Sequence, residues 1–125
     1  MTTTIACRRS DTRHRIEPGA NGRVEFDYPF PGGEPCTMPL RDISASGVSF
    51  LISRELPGLE EGRSLDGVAI RLRGKTIHAD LLVMHLTPDP GPGSVCGALI
   101  YPRQDEDIRQ LHALLASLEA DRQPA

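Results

Sequence analysis

Cysteine is scarce in this chain, and its three copies, Cys7, Cys36 and Cys96, stand far apart. A disulfide framework or a Cys-type zinc site would need pairs at short intervals, so neither is expected. No apolar run approaches the roughly 18 residues of a membrane span. Met1 to Cys7 lead straight into arginines without the apolar stretch of a signal peptide. The expectation is a cytoplasmic protein with reduced thiols, two of them buried in strands. Aromatic residues are also few: Phe26, Tyr28, Phe30, Phe50 and Tyr101. Three of these fall on inward-looking strand patterns, which leaves little for the stacking platforms of a single-stranded nucleic-acid binder.

Catalytic signatures are missing as well. There is no Gly-x-Ser-x-Gly elbow and no His-Glu-x-x-His pair. Gly74-Lys75-Thr76 lacks the glycine that a phosphate-binding loop requires five positions before Gly74, since Ala69 stands there and leads into strand-like residues. His78 and His85 are seven apart in or near one strand, so an uninterrupted strand sends them to opposite faces. No catalytic residue, metal ligand or cofactor site is assigned.

The 125 residues form one domain, long enough to bury a core. The net charge of −3 argues against a general nucleic-acid binder, but its distribution is uneven. Arg8, Arg9, Arg13 and Arg15 surround Asp11, giving residues 8–15 a charge of +3 and the remainder −6. A basic arm on an acidic body implies a local anion site. The thirteen arginines against a single lysine, Lys75, carry little weight, because genomic base composition produces the same bias.

Residues 1–21 lack hydrophobic periodicity and are expected to form a flexible arm ending in Pro18-Gly19-Ala20-Asn21-Gly22. Alternation starts at Arg23, with Val24, Phe26 and Tyr28 on one face. Further strands are expected from Cys36 to about Asp42, with Pro39 marking an edge or bulge. They continue over Val48–Ser53, around Val68–Leu72, over about Thr76–Leu86 and over about Ser94–Tyr101. Arg73-Gly74-Lys75 reads as a hairpin turn. Six strands over residues 22–103 without intervening helices indicate an antiparallel sandwich or barrel. A helix over 104–120 starts with acids in its first turn. It carries Ile108, Leu111, Leu115 and Leu118 at helical spacing, widened by Leu114, as cover for the barrel.

Two short patterns about thirty residues apart carry the chemistry. In the arm, Arg9-Ser10-Asp11-Thr12-Arg13 offers two guanidinium forks, each able to take guanine O6 and N7, grip two phosphate oxygens or stack on a purine. Between two strands, Asp42-Ile43-Ser44-Ala45-Ser46-Gly47 offers complementary groups. Asp42 accepts from guanine N1–H and N2–H₂, and Ser44 donates to a phosphate or carbonyl oxygen. Gly47 is expected to adopt a backbone conformation barred to other residues. Asp42 and Ser44 share strand parity and point the same way if the strand continues. Arg8, Arg15 and Ser46 are accessory candidates. The bland alternatives are a solvated basic tail and a locally bonded turn.

An Arg-x-x-x-Arg arm, then Asp-x-Ser-x-x-Gly, then a six-stranded barrel with a C-terminal helix resembles the PilZ domain family over about residues 8–118. The resemblance implies a mainly β, six-stranded antiparallel PilZ-like barrel and a bacterial receptor, not an enzyme, whose ligand is cyclic di-GMP. It places Arg9 and Arg13 on guanine and phosphate, Asp42 and Ser44 on the nucleotide from the barrel side, and Gly47 in the turn. The residue before the first motif arginine, here Arg8, helps set ligand stoichiometry in the family. Leu99 stands where the last strand often carries an aromatic residue, with an expected effect on packing only. The implied output is a relay to a downstream effector protein in motility, biofilm or virulence control, with no nucleic acid bound and no membrane insertion. The alternatives are a nucleotide-independent adaptor, for example in pilus assembly, and a single-stranded nucleic-acid binder.

Overall fold

Alternation of apolar and polar residues builds the sheet, and it is interrupted where the pairing register shifts. The computed structural model describes residues 12–88 and 93–122. Its strands are β1 (His14–Arg15), β2 (Arg23–Tyr28), β3 (Glu34–Ile43), β4 (Gly47–Ile52), β5 (Ser64–Leu72), β6 (Lys75–Pro88) and β7 (Ser94–Pro102). A 3-10 turn at Pro18–Ala20 links β1 to β2, and one helix, α1 (Asp105–Arg122), follows β7. In β2 the residues Val24, Phe26 and Tyr28 are buried while Arg23, Glu25 and Asp27 are half-exposed. Val48, Phe50 and Ile52 of β4 and Val68, Ile70 and Leu72 of β5 face the same core.

All pairings are antiparallel, in the order β3-β2-β5-β6-β7-β4, and β4 returns to pair with β3. The result is a closed six-stranded barrel with β1 outside it. The core centres on Met38, Phe50, Ile70, Ile77, Leu81 and Val83, with the Phe26 and Phe50 rings 6.0 Å apart. Arg73 and Gly74, with φ of 56° and 76°, make the tight β5–β6 turn, so Lys75 starts β6 opposite Leu72.

The segment expected to run loose up to residue 21 is held earlier than that. His14 pairs with Ile43 and Arg15 with Asp42, Ile16 N donates to Arg41 O at 2.8 Å, and Leu40 N donates to Gly22 O at 3.0 Å. Ile16 joins the core. A strand of two residues is too short for its period to stand out in sequence. Residues 1–11, including Arg8 and Arg9, lie outside the described residues.

The helix buries most of the expected stripe, turned so that Ile108 is left outside it. Its covered face is Asp107, Leu111, Leu114 and Leu118, packed mainly against β6, whereas Ile108 is 40% exposed and Leu115 only partly buried. Asp107 decides this rotation. Its Oδ1 accepts from His78 N at 2.8 Å and its Oδ2 from Gln104 N at 3.1 Å, capping the helix and fixing it to β6. His78 O also accepts from Arg103 N at 3.1 Å. No helix among the described residues is long and apolar enough to cross a membrane.

Cys36 and Cys96 are buried thiols in β3 and β7. Burial pushes the Cys96 thiol up to about 12 and the Cys36 thiol upward too. Native protein treated with iodoacetamide at neutral pH is therefore expected to stay unlabelled at both, with labelling only in denaturant, as peptide mass spectrometry would show. The helix makes a second prediction. Leu114→Ala should cost about 2–5 kcal/mol, and Ile108→Ala should stay within about 0.5 kcal/mol in urea denaturation. Equal losses would restore the stripe read from sequence.

Candidate functional site

Arg13 of the first motif meets Asp42 of the second on the outside of the barrel. β3 pairs with β4 through Leu40↔Phe50, Asp42↔Ser49 and Ile43↔Val48, with a register shift between Leu40 and Asp42. That bulge sends Ile43 into the core and leaves Asp42 facing outward with its side chain 25% exposed. β1 runs along the other edge of β3 with alternating faces. His14 is buried, while Arg13 and Arg15 point out. Arg13 Nη1 lies 2.6 Å from Asp42 Oδ1, with the arginine side chain 55% exposed. Residues 29 apart in sequence thus form one charged pair.

Ser44 is placed differently from expectation. β3 ends at Ile43, so strand parity does not carry on to Ser44, which is fully buried. Its Oγ accepts from Gly47 N at 3.1 Å and from Ser46 N at 3.4 Å, and Ser44 N donates to Gly47 O at 2.8 Å. The hydroxyl closes the β3–β4 turn rather than facing solvent beside Asp42. Ser46 sits exposed on that turn, and its carbonyl accepts from Ile100 N at 2.9 Å, tying the turn to β7.

Gly47 is needed for space, not for an unusual backbone conformation. Its φ is not positive, contrary to expectation. A Cβ there would lie 3.1 Å from Ala98 O and 3.9 Å from Arg13 Nη2. The absent side chain lets β7 approach and leaves the arginine room above the strand.

Register extends this surface across neighbouring strands. Gly47 faces Leu99, which faces Leu82; Asp42 faces Ser49, which faces Gly97, which faces His85. Leu99 is half-exposed on the outer face, so it forms part of the floor beside the Arg13–Asp42 pair and is not only a packing residue. The His85 ring covers Gly97 where a side chain would otherwise stand. Leu99 and His85 were not singled out as site residues. Their outward parity was legible, but which strand lay beside Gly47 was not. The surface is a shelf rather than a deep cavity. A cavity of about 410 Å³ lies elsewhere, at the far end of β4, lined by Ile52, Arg54, Leu56 and Leu86 among others. No cluster of His, Cys, Asp or Glu able to hold a metal occurs among the described residues.

No family model matches the chain, and no curated protein matches it. Solved structures do. The PilZ domain of YcgR from Escherichia coli, solved with c-di-GMP, superposes with a TM-score of 0.75 at 16% identity, covering 92% of this chain and 94% of that one. This chain has the PilZ fold. MrkH from K. pneumonia, solved as a c-di-GMP complex, aligns at TM-score 0.74 and 24% identity over 92% of this chain and 55% of MrkH. The Bacillus subtilis inhibitor of motility MotI/DgrA gives 0.72 and 18%, over 93% of this chain and 53% of its own. The chain therefore spans about half the length of MrkH and MotI and nearly all of the isolated YcgR domain.

Within this PilZ fold the Arg13–Asp42 pair contributes little to stability, because exposed pairs are worth about 0–1 kcal/mol. Arg13→Ala should therefore leave the urea midpoint nearly unchanged. Gly47→Ala should cost about 1–3 kcal/mol through its contact with Ala98 O. A neutral Gly47→Ala would show that β7 can yield.

Proposed function

We propose that this chain is a receptor for cyclic di-GMP that binds the dinucleotide on the outer shelf around Asp42 and Gly47 and relays the signal to a partner protein. One observation carries the reading: the Arg13 guanidinium and the Asp42 carboxylate, brought together at 2.6 Å beside a glycine that clears the surface. The pair is the chemical complement of guanine, since arginine suits O6 and N7 while a carboxylate suits N1–H and N2–H₂. Support also comes from the fold, which YcgR and MrkH present in complexes with c-di-GMP.

In this reading Arg13 exchanges Asp42 for guanine or phosphate, at small cost because the exchanged pair is solvent-screened. Asp42 is freed to accept from the base edge. Arg9 supplies the second guanidinium, with Arg8 and Arg15 adding contacts or positive field. Ser44 acts by holding the turn that presents Asp42 and Ser46, and Leu99 gives the base an apolar surface to lie against. The protein works as a cytoplasmic regulator, not an enzyme, and needs no cofactor beyond its ligand. The effector is a protein in motility or biofilm control.

Calorimetric titration with cyclic di-GMP, with GTP and linear pGpG as controls, tests the reading. Saturable binding selective for the cyclic dinucleotide is expected. Arg13→Ala should weaken it by about 1.5–3 kcal/mol, the scale of a hydrogen bond to a charged group. Unaltered affinity in an Arg9→Ala/Arg13→Ala double variant would remove the site assignment. Folded protein that gives neither heat nor a melting shift would favour the nucleotide-independent adaptor.

A further inference from the structure

A second concentration of positive charge lies away from the Arg13–Asp42 shelf. A cavity of about 400 Å³ opens between the end of the 3-10 turn, the start of β2 and the β5–β6 hairpin. Its wall includes Asn21, Arg23, Arg71, Arg73, Lys75 and Thr76, and no lining residue is acidic. Other cavities mix their charges. One has Arg54 with Glu55, and another has Arg103 with Glu106 and Asp107. Four cations surround the concavity, and two carboxylates, Glu25 and Asp121, pair with three of them. Four positive charges less two negative leave a local charge of +2 on a chain of net charge −3.

The fold brings these cations together and holds them there. Arg23 and Arg71 are direct cross-strand partners, a placement that would repel unless countered. Glu25 counters it from outside the cavity lining, taking Arg71 Nε at 2.6 Å and Arg23 Nε at 2.9 Å. The hydrogen bond from Arg71 is the main cause that holds the Glu25 carboxyl below its usual range, so this brace stays charged at neutral pH. Arg71 Nη1 donates to Thr76 Oγ1 at 2.9 Å, and Arg73 is tethered to Ser117 and Asp121 of α1. The left-handed turn at Arg73-Gly74 then sets Lys75, the one lysine of the chain, on the rim. The three arginine side chains are 36–39% exposed, against 68% for Arg109 on the helix surface. They are anchored, half-sunken donors rather than free solvated tips.

We propose that this cavity is a second anion site, which takes the phosphoryl group of a small phosphomonoester. Guanidinium forks match phosphate oxygens bidentately, and an ammonium adds a point charge. Low-dielectric walls focus the field of like charges into a concavity. The volume falls within the range of small-molecule sites, so it admits a phosphorylated small molecule as well as a bare ion. The site does not depend on the cyclic di-GMP reading, because none of its residues belongs to the shelf.

The experiment is a titration of ¹⁵N-labelled full-length protein with inorganic phosphate, ribose 5-phosphate and unphosphorylated ribose, followed by amide shifts. Saturable shifts centred on Gly74, Lys75 and Thr76 are expected with both phosphates and none with ribose. Tighter binding of ribose 5-phosphate would identify a phosphomonoester, and equal binding would identify the free ion as the source. Lys75→Gln and Arg73→Gln, each checked for a native spectrum, should each weaken binding about tenfold, and added NaCl should weaken it further. Three results would overturn the proposal: no saturation by about 10 mM, tenfold above a weak millimolar Kd; shifts centred on Asp42 to Gly47; or affinity untouched in both variants.

Discussion

β3 must satisfy three neighbours, and the rest of the structure follows from how it does so. Its first six residues pair with β2, and Leu40, Asp42 and Ile43 pair with β4 to close the barrel. On the edge that β2 leaves open, Asp42 and Ile43 accept β1. Where β3 passes from β2 to β4, a bulge between Leu40 and Asp42 breaks the alternation. It changes which residues face inward, so Ile43 completes the core and Asp42 reaches the surface. Without that shift the carboxylate would be buried and the barrel would lose an apolar side chain at its seam.

Closure has a second consequence, because it sets β7 beside β4. Gly47 then faces Leu99, and the Ser44 turn is tied to β7 through Ser46 O and Ile100 N. The charged pair therefore sits on a rigid floor of three strands. Its own bond is weak and exposed, while Ser44, Val48 and Ser49 beside it are buried. A rigid platform under an easily exchanged ion pair suits recognition of a polar ligand, since little must be broken and little must be ordered.

The helix is joined to the same framework by polar groups. His78 donates to Asp107 and accepts from Arg103, which fixes both the start of α1 and the exit of β7. At the other end of the helix, Glu119 Oε1 lies 3.8 Å from Nε2 of the buried His14. His14 follows Arg13 directly, so adjacent residues face opposite ways, one over the shelf and one toward α1. Among the described residues, the buried Nδ1 of His14 has no hydrogen-bond partner. The beginning and end of the described chain thus meet around one residue.

Much of this was legible in the residues alone. Period-two alternation marked β2, β4, β5, β6 and β7, because a half-buried strand sorts its side chains by local rules. Proline and glycine clusters placed the connections, and the acids before Ile108 placed the helix start. The two motifs named Arg13, Asp42 and Gly47 by residue type. Tertiary structure alone decided the rest. Pairing of β1 depends on the edge of β3 that β2 leaves open at Asp42 and Ile43. Helix rotation depends on Asp107 finding the backbone of β6, which a count of leucines cannot anticipate. Ser44 turns inward, and Gly47 serves space rather than φ, because the strand ends and β7 arrives. Which residues alternate is written locally in the chain. Which strand lies beside which, and therefore what a side chain meets, is set by closure.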